Sequence, residues 1–512
     1  MVQEASEVLY RRMKEMGGMD VHDAKDQNET NVELTYIPHI PVQLLTDRDI
    51  YLAAFARACL ASKRLIQIST CYIFYTDPAQ MYVLFDLLPY VVKRGVKVQL
   101  LMDLTVIEST TLKSAFYATG SIVEKRRRSA AGRVDVTATS FCTQLPDECP
   151  KPTAAGSKFV SADDFFHALM DMVGPNFDIQ FWCARDAQEQ YRIKNHAKCA
   201  IFDKRVAILG GSNLTPTVKS ATADLDVMVS GGAAVQVGAS FESLFFAMSR
   251  RDKFESCGSN CLDAKASAIA TEEKEDDDDD RFAKVIRECE WDDSDCHVAI
   301  LRSTPSSIGD DAIYRVVLDK LRSAKNEFLM TMGHSCFPVS FALAAKDATE
   351  RGVRVGVTVN SLYSNDLRTG QRDLFLTIRD VLKIAPKVEF YVTCMRCNDV
   401  NGNSSTPSSS SSLTSTAPMV GPEFLHAKYV TVDQHWSAVG SWNCWDRSAF
   451  YEIEHEAFVE SVLVAAALRE KFFRDAAALC TLLMDDAECQ PGGMYCPKGC
   501  FVCRGFGPFY RE

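Results

Sequence analysis

His196-Ala197-Lys198-Cys199-Ala200-Ile201-Phe202-Asp203, followed by Gly210-Gly211-Ser212-Asn213, is the stretch on which the fold turns. It returns as His426-Ala427-Lys428-Tyr429-Val430-Thr431-Val432-Asp433, followed by Gly440-Ser441-Trp442-Asn443. In both copies the lysine lies two residues after the histidine, the aspartate seven and the asparagine seventeen. An acid follows at twenty-eight, Asp224 or Glu454, and another at thirty, Asp226 or Glu456. Residues two apart on a strand share a face, so each histidine is paired with its lysine. The apolar runs on either side of Asp203 and Asp433 read as strand–turn–strand units. Each asparagine then falls on a glycine-bearing turn that can approach a ligand closely.

The repetition extends outward. Residues 50–64 (IYLAAFARACLASKR), 65–75 (LIQISTCYIFY), 81–95 (MYVLFDLLPYVVKRG) and 96–103 (VKVQLLMD) read as helix, strand, helix, strand. The same order returns in residues 312–326, 327–337, 339–352 and 353–360. Arg94-Gly95-Val96 and Arg351-Gly352-Val353 fall at the same point, where glycine suits a helix C-terminal cap. Alternating helices and apolar strands predict an α/β architecture with a largely buried sheet, built twice. The reading divides the chain into an N-terminal extension (1–45), a first domain (46–255), an acidic linker (256–290), a second domain (291–484) with a serine-rich loop (401–418), and a cysteine-rich tail (485–512).

Each half offers an imidazole, an ammonium and a carboxamide. Facing each other, two such sets would surround a phosphate: lysines supply point charge and asparagines supply neutral donors. One histidine can attack phosphorus while the other protonates the leaving oxygen. An acid on each imidazole's second nitrogen would fix its tautomer. Because the lysines already neutralise phosphate charge, no metal or other cofactor is expected.

With these motifs the chain resembles the phospholipase D superfamily, whose signature is HxKxxxxD followed by GGxN or GSxN, present twice. The resemblance covers roughly residues 49–483. It implies two pseudo-symmetric α/β/α sandwich domains with the active site at their interface, and a covalent phosphohistidine mechanism. His196 would be the nucleophile and His426 the general acid, later the base. Lys198, Lys428, Asn213 and Asn443 would bind phosphate, with Gly211 and Ser441 beside them in the substrate site. Asp203 and Asp433 belong to the catalytic motif, but they are expected to pin the hairpin turns. The family pattern favours Asp224 and Glu454 over Asp226 and Glu456 as the orienting acids. Arg447-Ser448 fits the pattern too, where the first copy has Val218-Lys219.

The rest of the chain narrows the substrate. Its 512 residues are 47% hydrophobic, with a formal charge of −12. Eight acids and one lysine in residues 272–280 supply −7 of that charge. The balance disfavours nucleic acid and favours a phospholipid. The expectation is a metal-independent phospholipid phosphodiesterase or phosphatidyltransferase resembling cardiolipin or phosphatidylserine synthases. The alternatives are a nuclease acting on single strands, and a non-catalytic scaffold, against which both intact motifs speak. No apolar run reaches the ~20 residues that span a bilayer. A cytoplasmic protein, peripheral on membranes through residues 1–18 or 462–473, is therefore expected. Both half-sites lie in one chain, so a monomer suffices.

Other signals stand beside the motif. His334 ends a strand and could line the cleft; the remaining histidines read as structural or surface. Residues 125–128 form a basic run that reads as a solvated loop. Trp442 could wall a pocket or pack in the core. Most of the nineteen cysteines read as buried thiols. Cys489, Cys496, Cys500 and Cys503 have spacing that could wrap a structural zinc ion, although they do not form two CxxC pairs.

Overall fold

A computed structural model describes residues 32–75, 77–103, 133–134, 145–151, 158–159, 162–182, 193–216, 224–249, 280–288, 293–304, 312–333, 337–360, 378, 381–393, 425–445, 448 and 452–483. His334, the basic run, Val218-Lys219, Arg447, the serine-rich loop and the four tail cysteines lie outside them. The strands are β1 (Ile37–Leu45), β2 (Leu65–Thr70), β3 (Lys97–Asp103), β4 (Arg133–Val134), β5 (Lys158–Phe159), β6 (Phe177–Trp182), β7 (Lys194–Asn195), β8 (Cys199–Phe202) and β9 (Val206–Gly210). There follow β10 (Asp226–Ser230), β11 (Asp293–Ser303), β12 (Glu327–Met332), β13 (Arg354–Val359), β14 (Glu389–Thr393), β15 (Lys428–Val432), β16 (Trp436–Gly440), β17 (Glu452–Glu460) and β18 (Cys480–Leu483).

All but β4 and β5, which pair with each other, belong to one sheet. From one edge its order is β6-β3-β2-β8-β9-β10-β1, and then β11-β17-β16-β15-β12-β13-β14-β18. The second series mirrors the first. In each half a parallel set (β2-β3-β6 or β12-β13-β14) adjoins an antiparallel meander (β8-β9-β10 or β15-β16-β17). The antiparallel β1–β11 pair joins the halves, so the two repeats share a single continuous sheet.

The helices are α1 (Arg48–Ala61), α2 (Pro78–Tyr82), a π turn (Val83–Leu87) running into α3 (Leu88–Lys93), α4 (Ala162–Met170), α5 (Gly231–Ser249), α6 (Asp280–Glu288), α7 (Ala312–Ser323), α8 (Val339–Glu350) and α9 (Val462–Leu479). In the second half, alternate strand residues go to opposite layers, as the two-residue strand period requires. Val430, Ala438 and Phe458 join a core with Val316 and Phe341 of α7 and α8. Tyr429, Val439 and Val459 join one with Val464, Leu468 and Phe472 of α9. Covered on both faces, the strands read as unbroken apolar runs. The glycine caps behave as the repeat predicts: Gly95 (φ 92°) and Gly352 (φ 89°) are left-handed. Beside them Val96 N–H donates to the Val91 carbonyl at 3.2 Å and Val353 N–H to Ala348 at 3.0 Å.

The acidic linker differs from its expected form, because its end is α6. Phe282 and Val285 of this helix are buried. Their three-residue spacing is helical, but the neighbouring acid run hides it in the composition.

Asp203 and Asp433 are hairpin pins. Each begins a two-residue turn with both φ values positive: 48° and 57° at Asp203 and Lys204, 51° and 54° at Asp433 and Gln434. The Asp203 carboxylate accepts from the N–H groups of Lys63, Arg64 and Leu65 at 2.7–3.0 Å. Asp433 does the same for Lys325, Asn326 and Glu327 at 2.7–2.9 Å. Each thus ties a hairpin to the turn between a helix and the neighbouring parallel strand. Loss of three hydrogen bonds to a carboxylate should make Asp203→Ala and Asp433→Ala each about 2–3 kcal/mol less stable in urea unfolding.

Candidate active site

Strands β8 and β15 run antiparallel to β2 and β12, so their beginnings lie beside the C-terminal ends of the parallel strands. His196 precedes β8, and His426 precedes β15, whose first residue is Lys428. This is where open α/β sheets hold ligands. One residue from each parallel set locks the approach to the histidine. The Asp103 carboxylate, closing β3, accepts from Asn195 N–H at 2.6 Å. Asn360, just past β13, accepts from Leu425 N–H at 3.0 Å and donates to the Leu425 and Gly333 carbonyls at 2.6 and 2.8 Å. In the sequence Asp103 and Asn360 are the last residues of two matched strands. Their matched position in the repeat was the signal that they hold equivalent places.

The acids cross between the halves. The Glu454 carboxylate meets His196 Nδ1 at 2.9 Å, and Asp224 meets His426 Nδ1 at 3.2 Å. All four side chains are largely buried. The competing acids have another task. Asp226 accepts from Ser212 N–H at 3.1 Å, and Glu456 from Trp442 N–H at 3.4 Å, so they brace the two glycine-bearing turns. At Gly211 an added Cβ would collide with the Asp224 carboxylate and press on the His426 carbonyl at 3.2 Å. Where the second copy has Ser441, the serine hydroxyl donates to Glu454 at 2.6 Å. Ser441, expected in the substrate site, thus has its hydroxyl engaged within the protein. Ser448 donates to the other Glu454 oxygen at 2.9 Å.

Lys198 Nζ donates to the His196 carbonyl at 2.7 Å, and Lys428 Nζ to the His426 carbonyl at 2.5 Å. Asn213 accepts from Tyr72 N–H at 3.2 Å, leaving its NH2 end to donate, and Asn443 is fully buried. Trp442 resolves as a core residue, stacked on Tyr314 with ring centroids 6.4 Å apart. Trp445 instead donates its indole N–H to Glu452 at 3.1 Å. His455 is buried with Nε2 2.6 Å from Ser240 Oγ, away from this site. Cys59, Cys71, Cys149, Cys199, Cys296 and Cys444 are free thiols.

Burial gives the site its charge state. It pushes the Lys428 ammonium down to about 7 and lowers Lys198 as well. Burial, reinforced by the neighbouring lysines, also pulls both imidazoles below 6.5. Burial alone would raise Asp224, but His426 and Lys428 outweigh it and hold that carboxyl below the usual range. Glu454 goes the other way: burial and the adjacent Glu452 push it up to about 8. Among the described residues, His196, Glu452 and Glu454 bring ligand-type atoms within 4.8 Å of one another. Lys194, Lys198 and Lys428 act on the same place, so its charge suits an anion better than a cation.

The two mirrored halves form a phospholipase D-like α/β fold. Residues 317–476 match the family model described as cardiolipin synthase, PLD-like domain. Over that stretch, which holds the second histidine motif, the chain is similar to the phospholipase D-like domains that the model describes. It is similar to the crystal structure of phosphatidylserine synthase from Haemophilus influenzae Rd KW20, at 11% identity and a TM-score of 0.53, over 92% of this chain and 93% of that one. Nuc, a phospholipase D family member from Salmonella typhimurium, aligns at 16% identity and a TM-score of 0.26, over 37% of this chain and 99% of its own. No curated protein matches the chain.

An anion entering between Lys198 and Lys428 would restore the charge that burial removes. Binding of inorganic phosphate at pH 8 should therefore take up protons, as much as about one per site, because Lys428 is then largely neutral in the free protein. Calorimetry in buffers of differing ionisation enthalpy measures this uptake. Lys428→Met should weaken binding and abolish most of the uptake.

Proposed function

We propose that the protein is a phosphatidyltransferase or phosphodiesterase that works on phospholipids through a phosphohistidine. The crossed pairing of His196 with Glu454 and of His426 with Asp224 carries this reading. An acid at Nδ1 leaves Nε2 to do chemistry, and each imidazole has an acid there. The phosphodiester anion sits between Lys198 and Lys428, with Asn213 and Asn443 donating to its oxygens. His196 Nε2 attacks phosphorus, the bond to the first alcohol oxygen breaks, and His426 gives that oxygen its proton. The anion's own charge raises His426 into its acid form. Water or a second alcohol then attacks, His426 takes the acceptor's proton, and the phosphorus–nitrogen bond breaks.

Three observations favour a lipid. The matched family model is described by the name of cardiolipin synthase, and the shared fold is that of a phosphatidylserine synthase. The chain also carries net negative charge, which opposes approach to a polyanion. Among the described residues no helix is long and apolar enough to cross a membrane, so contact with lipid would be peripheral. The lysines take the role a metal would play in neutralising phosphate, and the reaction is proposed to need no cofactor.

The test combines mixed-phospholipid liposomes, a primary alcohol and a chelator, with mass spectrometry of the phosphatidyl-alcohol. Product should form with the metal removed, and His196→Ala and His426→Ala should each lower its rate about 10³-fold. Absence of product from every lipid, with cleavage of single-stranded oligonucleotides instead, would replace this reading with the nuclease one.

A further inference from the structure

The two half-sites are not equal. Twenty-six residues after its histidine, the second copy has Glu452, where the first has the uncharged Thr222. Two residues before its histidine, the first copy has Lys194, where the second has Phe424. The two added charges meet. Strand β7 lies parallel to β17 with Lys194 opposite Glu452, and Lys194 Nζ is 3.4 Å from the Glu452 carboxylate. Trp445, which replaces Thr215 of the first copy, donates to the other Glu452 oxygen at 3.1 Å. Glu452 is fully buried.

We infer that Glu452, seated by Lys194 and Trp445, is a positioning residue that makes the His196–Glu454 pair more basic than the His426–Asp224 pair, and so assigns the nucleophile's role to one half of a pseudo-symmetric site. Glu452 and Glu454 are two apart on β17 and share a face. A second buried carboxylate there favours any proton the histidine–acid pair can hold. The groups facing the pair are Lys194 and Lys198 from the segment leading into β8, Cys71 after β2 and Asp103 at the end of β3. His426 and Lys428 face it from the other half. Except for Asp103, which binds Asn195 N–H, and the thiol, these neighbours are cationic or become so on protonation, and they lower the pair's basicity. Glu452 is the charge that opposes them. On the acid side Glu454 is raised by burial and Glu452 while Asp224 is held low by His426 and Lys428; the His196 imidazole itself is lowered by burial and the lysines, so the added basicity lies with the carboxyl of the pair.

The inference rests on the proposed function for its meaning, but its test does not need turnover. In substrate-free protein, the His196 imidazole is titrated by nitrogen-15 NMR, with the signal assigned by its loss in His196→Gln. Glu452→Gln should lower the midpoint of the pair by about one pH unit, and Lys194→Met should raise it. Glu452→Asp, which keeps the charge, should restore the wild-type midpoint. Where lipid transfer is observed, the acid-side limb of its pH profile should move with the same signs. Coincident midpoints in wild type and Glu452→Gln would overturn the inference. So would activity losses that are uniform at every pH with no displacement of the limb. If Glu452→Gln does not fold, the direction of the Lys194→Met shift decides. An expected NMR shift without turnover of any lipid would refute the proposed function and leave the inference standing.

Discussion

Two histidines, two lysines and two acids must be buried together. Everything else in the structure serves that constraint. Isolated buried charges cost several kcal/mol each, and they persist only when paired and hydrogen-bonded. Neither half can meet this cost alone, because the acid for each imidazole comes from the opposite half. The β1–β11 ladder holds the halves in register, and the β7–β17 pairing adds a second tie next to the chemistry. Burial still outweighs the nearby carboxylates at Lys428, whose ammonium is pushed down to about 7. A phosphate is the group that would complete the balance.

Much of this was legible in the sequence because the repeat compares the protein with itself. Matched offsets marked His196 and His426, and the same counting gave Asp224 and Glu454. Offsets could not separate these from Asp226 and Glu456, since residues two apart on a strand share a face. In the structure the difference is one of reach: one pair of acids meets the imidazoles and the other meets the turn N–H groups. Spacing also could not reveal that the pairs cross. A repeat read along the chain suggests that each half serves itself, and only the assembled sheet shows the exchange. Ser441 shows a related limit of spacing. Its place in the turn resembles that of Gly211, but its hydroxyl finds the longer Glu454 side chain.

Asp103 and Asn360 show the opposite case. They differ chemically, so no motif joins them, yet each ends the same strand of its repeat and fixes the backbone just before a catalytic-motif histidine. An aspartate can only accept, and it takes the Asn195 N–H. An asparagine can also donate, and it additionally ties Leu425 and Gly333. The second half therefore gains a clasp that the first obtains by other means, through Asn195 Nδ2 and Ser69 Oγ at 3.0 Å. Symmetry of position has survived divergence of chemistry.

The shared sheet also bears on how a substrate gets in. Domains that meet across a cleft usually admit ligand by swinging on a hinge, and the closing motion then paces the cycle. Here a hinge between the halves would have to break a strand ladder through the middle of the sheet. The halves are thus joined across their seam, and a substrate has to reach the site without parting them. Selection among candidate molecules then falls to what can approach the two histidines across a sheet that does not part.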